Sequence, residues 1–351
     1  MNKFKKVGLT ALAGSLAAVS ANAIEMSVNG STSVSYNTGS SDTATTNSYN
    51  GGQSIGVDTG IQFTGSGELE NGFTVKSFAA LDDGRANTLS SSQLTLGMGS
   101  LGTVVFAQQF GSAANGIDHM PPRVKEEAFD NAGGSVLQNF GRASAEGTVT
   151  YKSPSVDVGS GLAMTFGLDY DPQANVTSDD HDAVAANATT EGSAIGMVVA
   201  ITSDLGLTIG AGRESIEGEG HYADKENTTA YALYSMGPVS VGYQAYYMDR
   251  GAINDIPLAG TTADYSGSAY SIAFNVNDQL SLGYEVIDED KEAQSAILVG
   301  NREIKSITAA YTAGGMSVAI QNTQTENYKM TGTAANELDL ENTQVTLSFA
   351  F

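Results

Sequence analysis

Apolar and polar side chains alternate with a period of two through most of this 351-residue chain. From Ile24 to Asn37 the even positions read Ile24, Met26, Val28, Gly30, Thr32, Val34 and Tyr36. The odd ones read Glu25, Ser27, Asn29, Ser31, Ser33, Ser35 and Asn37. Successive side chains of a strand point to opposite faces, so this segment predicts a strand with one apolar and one hydroxyl-rich face. The last segment mirrors it: Thr343, Val345, Leu347, Phe349 and Phe351 oppose Asn342, Gln344, Thr346 and Ser348. Segments 55–63, 162–170, 239–247 and 280–286 repeat the pattern. Segments near 72–82, 91–99, 102–110, 146–153, 192–202, 205–216, 227–236, 266–275, 302–312 and 316–325 also read as strands, sixteen in all. Met197 to Ile201 and Ala230 to Tyr234 are apolar on both faces, which implies that something other than open water covers their inner side.

The connections alternate in length. Tight links such as Glu70-Asn71-Gly72, Ser100-Leu101, Ser203-Asp204, Gly237-Pro238, Asn277-Asp278 and Ala313-Gly314-Gly315 alternate with long polar ones. The long ones are 38–52, 111–145, 171–191, 249–265, 288–301 and 326–341. Short links at one end and long loops at the other, with an even strand count, are the plan of an all-β transmembrane antiparallel barrel. Its termini meet at the short-turn end. A soluble sandwich also alternates, but about seven to nine strands and bulky facing cores suffice for one. Sixteen strands with Gly, Ser and Thr on one face suit a wide wall, wet inside and greasy outside, in which every backbone group is paired without edges. Tyr36, Tyr151, Tyr170, Tyr247 and Tyr311 fall near strand ends, where a ring sits at headgroup level.

Residues 1–23 read as a cleaved signal peptide and 24–351 as the barrel. Lys3, Lys5 and Lys6 precede an uncharged apolar stretch from Val7 to Val19 and a small-x-small site at Ala21-Asn22-Ala23. The stretch is shorter than the ~20 residues of a spanning helix. No later run is apolar enough to make one. Losing that segment leaves 13 basic against 39 acidic residues, so the formal charge goes from −23 to −26. Such a charge excludes nucleic acid as a partner. Zero cysteine excludes disulfides, thiolate metal sites and a cysteine nucleophile. With only 6 prolines and 41% hydrophobic residues, the 41 glycines do not signal disorder.

The residue order from Gly99-Ser100-Leu101-Gly102-Thr103-Val104-Val105-Phe106, through the long 111–145 connection, to Thr148-Val149-Thr150-Tyr151-Lys152-Ser153-Pro154 resembles the sixteen-stranded trimeric general porins of Gram-negative outer membranes. The signal peptide and the ending Thr346-Leu347-Ser348-Phe349-Ala350-Phe351 add to the likeness, which covers the whole mature region. The resemblance implies a homotrimer of water-filled channels in the outer-membrane lipid bilayer, a third loop folded into each pore, and assembly through the outer-membrane machinery that reads Phe351. It implies no reaction and no cofactor. Many relatives carry an arginine where Ala107-Gln108-Gln109-Phe110 stands, so the basic half of the pore is thinner here.

The third loop concentrates charge. Asp118, Glu126, Glu127 and Asp130 are the expected acidic side of a constriction; Lys76, Arg142 and Lys152, on or beside inward wall faces, are the basic side. His119, Arg123 and Lys125 are further charges of that loop, for which a solvated outer tip is the competing reading. Asp58, Asp82, Gln93, Asp169 and Glu285 are expected to face the lumen. Fixed charges beside a narrow path weigh on every passing ion, so the acidic excess predicts weak cation selectivity toward small hydrophilic solutes and ions. The acidic clusters Asp179-Asp180-His181-Asp182 and Asp288-Glu289-Asp290 lack the ordered ligand spacing of a calcium loop and read as solvated. No P-loop, HExxH or GxSxG element is present, and Gly218-Glu219-Gly220-His221-Tyr222-Ala223 falls in an outer loop. A nutrient-selective channel, an adhesive barrel and a barrel hydrolase built on His119, His181 and His221 are the other readings.

Overall fold

The computed structural model describes residues 25–41, 52–82, 89–108, 117–131, 135–137, 146–172, 191–219, 223–251, 263–293, 300–330 and 337–351. Its strands are β1 (Glu25–Ser41), β2 (Gly52–Glu68), β3 (Thr74–Asp82), β4 (Leu89–Gly97), β5 (Thr103–Gln108), β6 (Glu146–Lys152), β7 (Val156–Gly159) and β8 (Leu162–Asp171). They continue as β9 (Glu191–Ser203), β10 (Leu207–Gly218), β11 (Lys225–Met236), β12 (Val239–Asp249) and β13 (Ala263–Asn275). The last four are β14 (Leu280–Ala293), β15 (Gly300–Ala313), β16 (Met316–Glu326) and β17 (Leu340–Ala350).

Apart from β6 and β7, each strand pairs antiparallel with its sequence neighbours, and β1 pairs with β17, so the sheet closes. The described strands number seventeen, yet the wall has sixteen positions. β6 and β7 both pair with β8, and the break at Ser153-Pro154-Ser155 lies between them, where a proline without an N–H cannot continue the ladder. The start of β1 and the end of β17 meet at the short-turn rim, where Gly30 and Phe351 exchange backbone hydrogen bonds of 2.8 and 2.9 Å.

Cross-strand register sorts the two faces. Phe63, Ala79, Ile61 and Leu81 stand opposite one another on the outside, as do Tyr243 with Tyr270 and Leu282 with Phe274. Most of these outward apolar side chains are exposed on the isolated chain, as a lipid-facing wall requires. The inward set includes Asp58, Gln62, Lys76, Gln93, Thr95, Lys152, Glu285 and Gln344. Several strands run further than their alternation suggests. β14 continues to Ala293, so Asp288, Glu289 and Asp290 belong to the wall and not to a solvated loop, because pairing with Glu303, Arg302 and Asn301 of β15 carries the ladder past the apolar belt.

Candidate functional site

The connection between β5 and β6 does not stand out from the barrel as a solvated tip. Its described parts, 117–131 and 135–137, lie along the inner faces of β10 to β17. The wall is prepared for it by residue size. A Cβ at Gly242 would stand 2.5 Å from Pro122 Cδ and 2.9 Å from Pro121 Cα, and one at Gly283 would stand 2.9 Å from Val124 Cγ2. Ile117 fills the corresponding space over Gly212. Absence of side chains at these wall positions lets the loop backbone rest on the sheet.

Two apolar contacts fasten it. Ile117 packs with Tyr231, and Met120, Val198, Ala200 and Leu233 join them. This is the covering that the two-faced apolar segments of β9 and β11 call for. A larger cluster joins Ala128, Phe129, Val136 and Leu137 of the loop to Tyr246, Met248, Ala269, Ile287 and Ile304 of β12 to β15. Leu137, Met248, Ile287 and Ile304 are fully buried, so this part of the interior is a dry core inside the barrel. A uniformly wet lumen, as the strand pattern suggests, holds for only part of the circumference.

Polar contacts fix the register of the loop on the wall. Gln244 of β12 accepts the Met120 N–H at 2.8 Å and donates to the Ile117 carbonyl at 2.9 Å. Ser271 donates to the Pro122 carbonyl. Glu285 accepts from His119 Nε2 and from the Ala128 N–H. His119 Nδ1 accepts from Arg123 at 2.9 Å, which leaves the ring proton on Nε2, pointing at Glu285. Arg123 also pairs with Glu127 at 2.6 Å. A second buried carboxylate, Glu289, accepts from Ser135 Oγ, the Val136 N–H at 2.9 Å, Tyr246 OH at 2.8 Å and the Arg302 guanidinium.

The expected site residues thus divide. Glu126 presents a side chain 65% exposed to the lumen, and Asp130 is also accessible. Asp130 is lifted to about 6, first by lost hydration against the protein and then by the neighbouring charges of Glu127 and Glu126. Asp118 is half-buried, and burial raises its carboxyl although a hydrogen bond from the His119 N–H pulls the other way. Glu127 is engaged by Arg123. Lys125 turns away from the lumen, its ammonium held by Gln344, Gln321 and Glu126.

On the facing wall Lys76 and Lys152 are exposed on inward positions, in register with Thr95 and Thr103. Eight wall positions around the ring separate β3 from β12 and β6 from β15, so both lysines lie across the bore from the loop. On the same side Asp58 is exposed and Gln93 half-buried. Asp169 is inward but buried, accepting from Thr150 Oγ1 at 2.6 Å, and Glu285 is inward but spent on the loop. Neither is an open lumen charge, as was expected of them. Asp82 ends β3 opposite Gly60. Arg142, His181, His221 and the Asp179–Asp182 cluster lie outside the described residues. Ala107 faces inward and is buried. Among the described residues no group of His, Cys, Asp or Glu is arranged to hold a metal ion.

The apolar and carboxylate anchors of the loop are not among the expected site residues. Their signals are the two-faced apolar segments and the inward parity of Glu285, Ile287 and Glu289, which continues unbroken into what reads as a loop.

Residues 8–300 match the family model described as Gram-negative porin. Among solved structures the chain is similar to the anion-selective porin from Comamonas acidovorans, at 14% identity and a TM-score of 0.66, covering 94% of this chain and 100% of that one. It is similar to the in-vitro folded trimer form of OmpT, an outer membrane protein of Vibrio cholerae, at 11% identity and a TM-score of 0.66, with 94% and 100% covered. Salmonella typhi OmpF in complex with daunomycin matches at 13% identity and a TM-score of 0.64, with 93% and 98% covered. At these identities the likeness is one of fold. No characterised protein sequence matches the chain significantly.

Proposed function

Because this chain belongs to the Gram-negative porin family, an outer-membrane β-barrel that serves as a passive diffusion channel, we propose that it passes small hydrophilic solutes with a weak preference for cations. The observation that carries the sign is the unequal exposure of the loop charges. Glu126 and Asp130 are exposed at the bore, whereas Lys125, which pairs with Glu126, is itself only 9% exposed against wall amides, and Arg123 is matched by Glu127. Across the bore stand Lys76 and Lys152, with Asp58 further along the inner face of β2, so three exposed inward carboxylates, Glu126, Asp130 and Asp58, stand against two exposed inward lysines. In a confined path with lowered dielectric such a margin biases ion flux without excluding either sign. The fold alone does not set the sign, since one similar barrel is an anion-selective porin. A reversal potential across a salt gradient in a planar bilayer tests the proposal: modest cation preference is expected, and anion preference would overturn it.

The proposal includes cleavage after Ala23, a homotrimer, and recognition of the C-terminal strand by the assembly machinery. One similar barrel has a trimer form, which supports the oligomer. It also includes the absence of a reaction or cofactor, resting on family and fold. Of the three histidines that a loop-borne hydrolase would need, His119 has its ring buried between Arg123 and Glu285.

A further inference from the structure

Glu289 and Arg302 are both buried on the inner wall, at register-paired positions of β14 and β15. Their pairing does more than cancel charge. Through Nε and NH2 the Arg302 guanidinium donates to Glu289 Oε2; through NH1 it donates to the Tyr328 carbonyl at 3.1 Å. Glu289 Oε1 is the acceptor that holds Ser135 and Val136, the returning arm of the inner loop. Tyr328 belongs to the outer turn that follows β16. That turn is tied to the wall by Asn327 Nδ2 donating to the Asn301 carbonyl at 2.8 Å, and is closed on itself by the Asn327 N–H to Asp339 Oδ1 at 3.0 Å and the Tyr328 N–H to the Leu338 carbonyl at 2.9 Å. Asn327 takes a left-handed φ of 48°, so the direction of the Tyr328 carbonyl depends on a backbone conformation that few side chains adopt.

We propose that Arg302 is a positioning residue that couples this outer turn to the inner loop, so that the conformation of Asn327–Tyr328 on the outer side sets how firmly the constriction is held. A guanidinium is planar and its donors keep fixed angles. Because one plane serves both the Glu289 carboxylate and the Tyr328 carbonyl, neither acceptor can move without tilting the donors offered to the other. A shift of the outer turn therefore reaches Ser135 and Val136 through two hydrogen-bonded groups. The inference rests on the reading of the inner loop as the constriction and adds a control point outside it.

The test uses the full-length protein reconstituted in planar bilayers, scoring voltage-induced closures beside single-channel conductance and reversal potential. Arg302→Lys keeps the buried positive charge opposite Glu289 but loses the fork. Asn327→Ala leaves Arg302 and Glu289 intact and releases the turn. Both should raise the closure frequency by at least about fivefold, the low end for coupling between sites, and the double variant should add little to either. Arg302→Gln should do more, and should also lower the unfolding temperature by leaving a buried carboxylate unmatched. If Arg302→Lys behaves as the wild type, only the charge matters and the coupling is refuted. Silence of Asn327→Ala, or full additivity of the two, refutes it as well. Glu126→Gln separates the premise: if it leaves the reversal potential unmoved, the inner loop is not the constriction and both readings fall.

Discussion

The ring of Phe351, the last residue of the chain, lies over Gly30 of β1, in the space that a Cβ at that position would occupy. The two residues also exchange backbone hydrogen bonds, so the seam between the first and last strands ends in an aromatic side chain seated on a glycine. An aromatic ring over a strand glycine restores side-chain contact that the glycine itself lacks. Gly30→Val should displace the ring and cost about 1 kcal/mol, the scale of a cross-strand pair. Phe351→Ala should cost a similar amount, and the two together less than their sum. Urea unfolding of the refolded barrel gives these values; full additivity would show that the ring and the glycine do not cooperate.

Gly242 tests the seating of the inner loop. Gly242→Val places methyl groups where Pro121 and Pro122 now lie, and the loop, being less rigid than a closed sheet, should move into the bore. Conductance should fall, with about 1–3 kcal/mol of overpacking strain in the unfolding free energy. Unchanged conductance with lowered stability would mean that the wall yields instead of the loop.

Asp130 makes cation preference depend on pH. Its folded-state pKa of about 6 stands above the ordinary 3.8. It is therefore charged above pH 6 and neutral below, while exposed carboxylates remain ionised to about pH 4. Cation preference should weaken as pH falls from 7 to 5, and Asp130→Asn should show the weakened value throughout. By linkage the folded state binds this proton more tightly than the unfolded chain does. The contribution of this group to stability is thus fully present below pH 4 and declines as pH rises to 6. A pH-independent reversal potential between 5 and 7 would contradict the assignment.

Lys76 and Lys152 should outweigh Lys125 in selectivity although all three carry one charge. Replacing Lys76 and Lys152 together by Glu should strengthen cation preference clearly. Lys125→Gln should move the reversal potential less and act on stability, because its ammonium is turned to Gln321 and Gln344. Equal shifts per charge would show that the lumen does not distinguish them.

Alternation and link length were sufficient for the barrel, its strand number and the shared end of its termini. A period-two pattern states directly which face is greasy, and closure follows from the need to pair every backbone group in lipid. The same pattern placed Lys76, Lys152 and Asp58 inward, since facing within a strand is a local property. Whether an inward side chain meets water or protein is not local. Asp169 and Glu285 carry charge as plainly as Lys76 does, yet both are buried: Asp169 is taken up by Thr150 of the neighbouring strand, a segment distant in sequence packs over Glu285, and Lys125 on that segment is turned into the wall. The apolar residues Ile117, Phe129 and Leu137 read as unremarkable loop positions until β9 to β15 supply their partners. Tertiary packing alone decided which inward faces of β10 to β17 are covered by protein, because only the folded barrel brings the inner loop against the glycines and carboxylates that hold it.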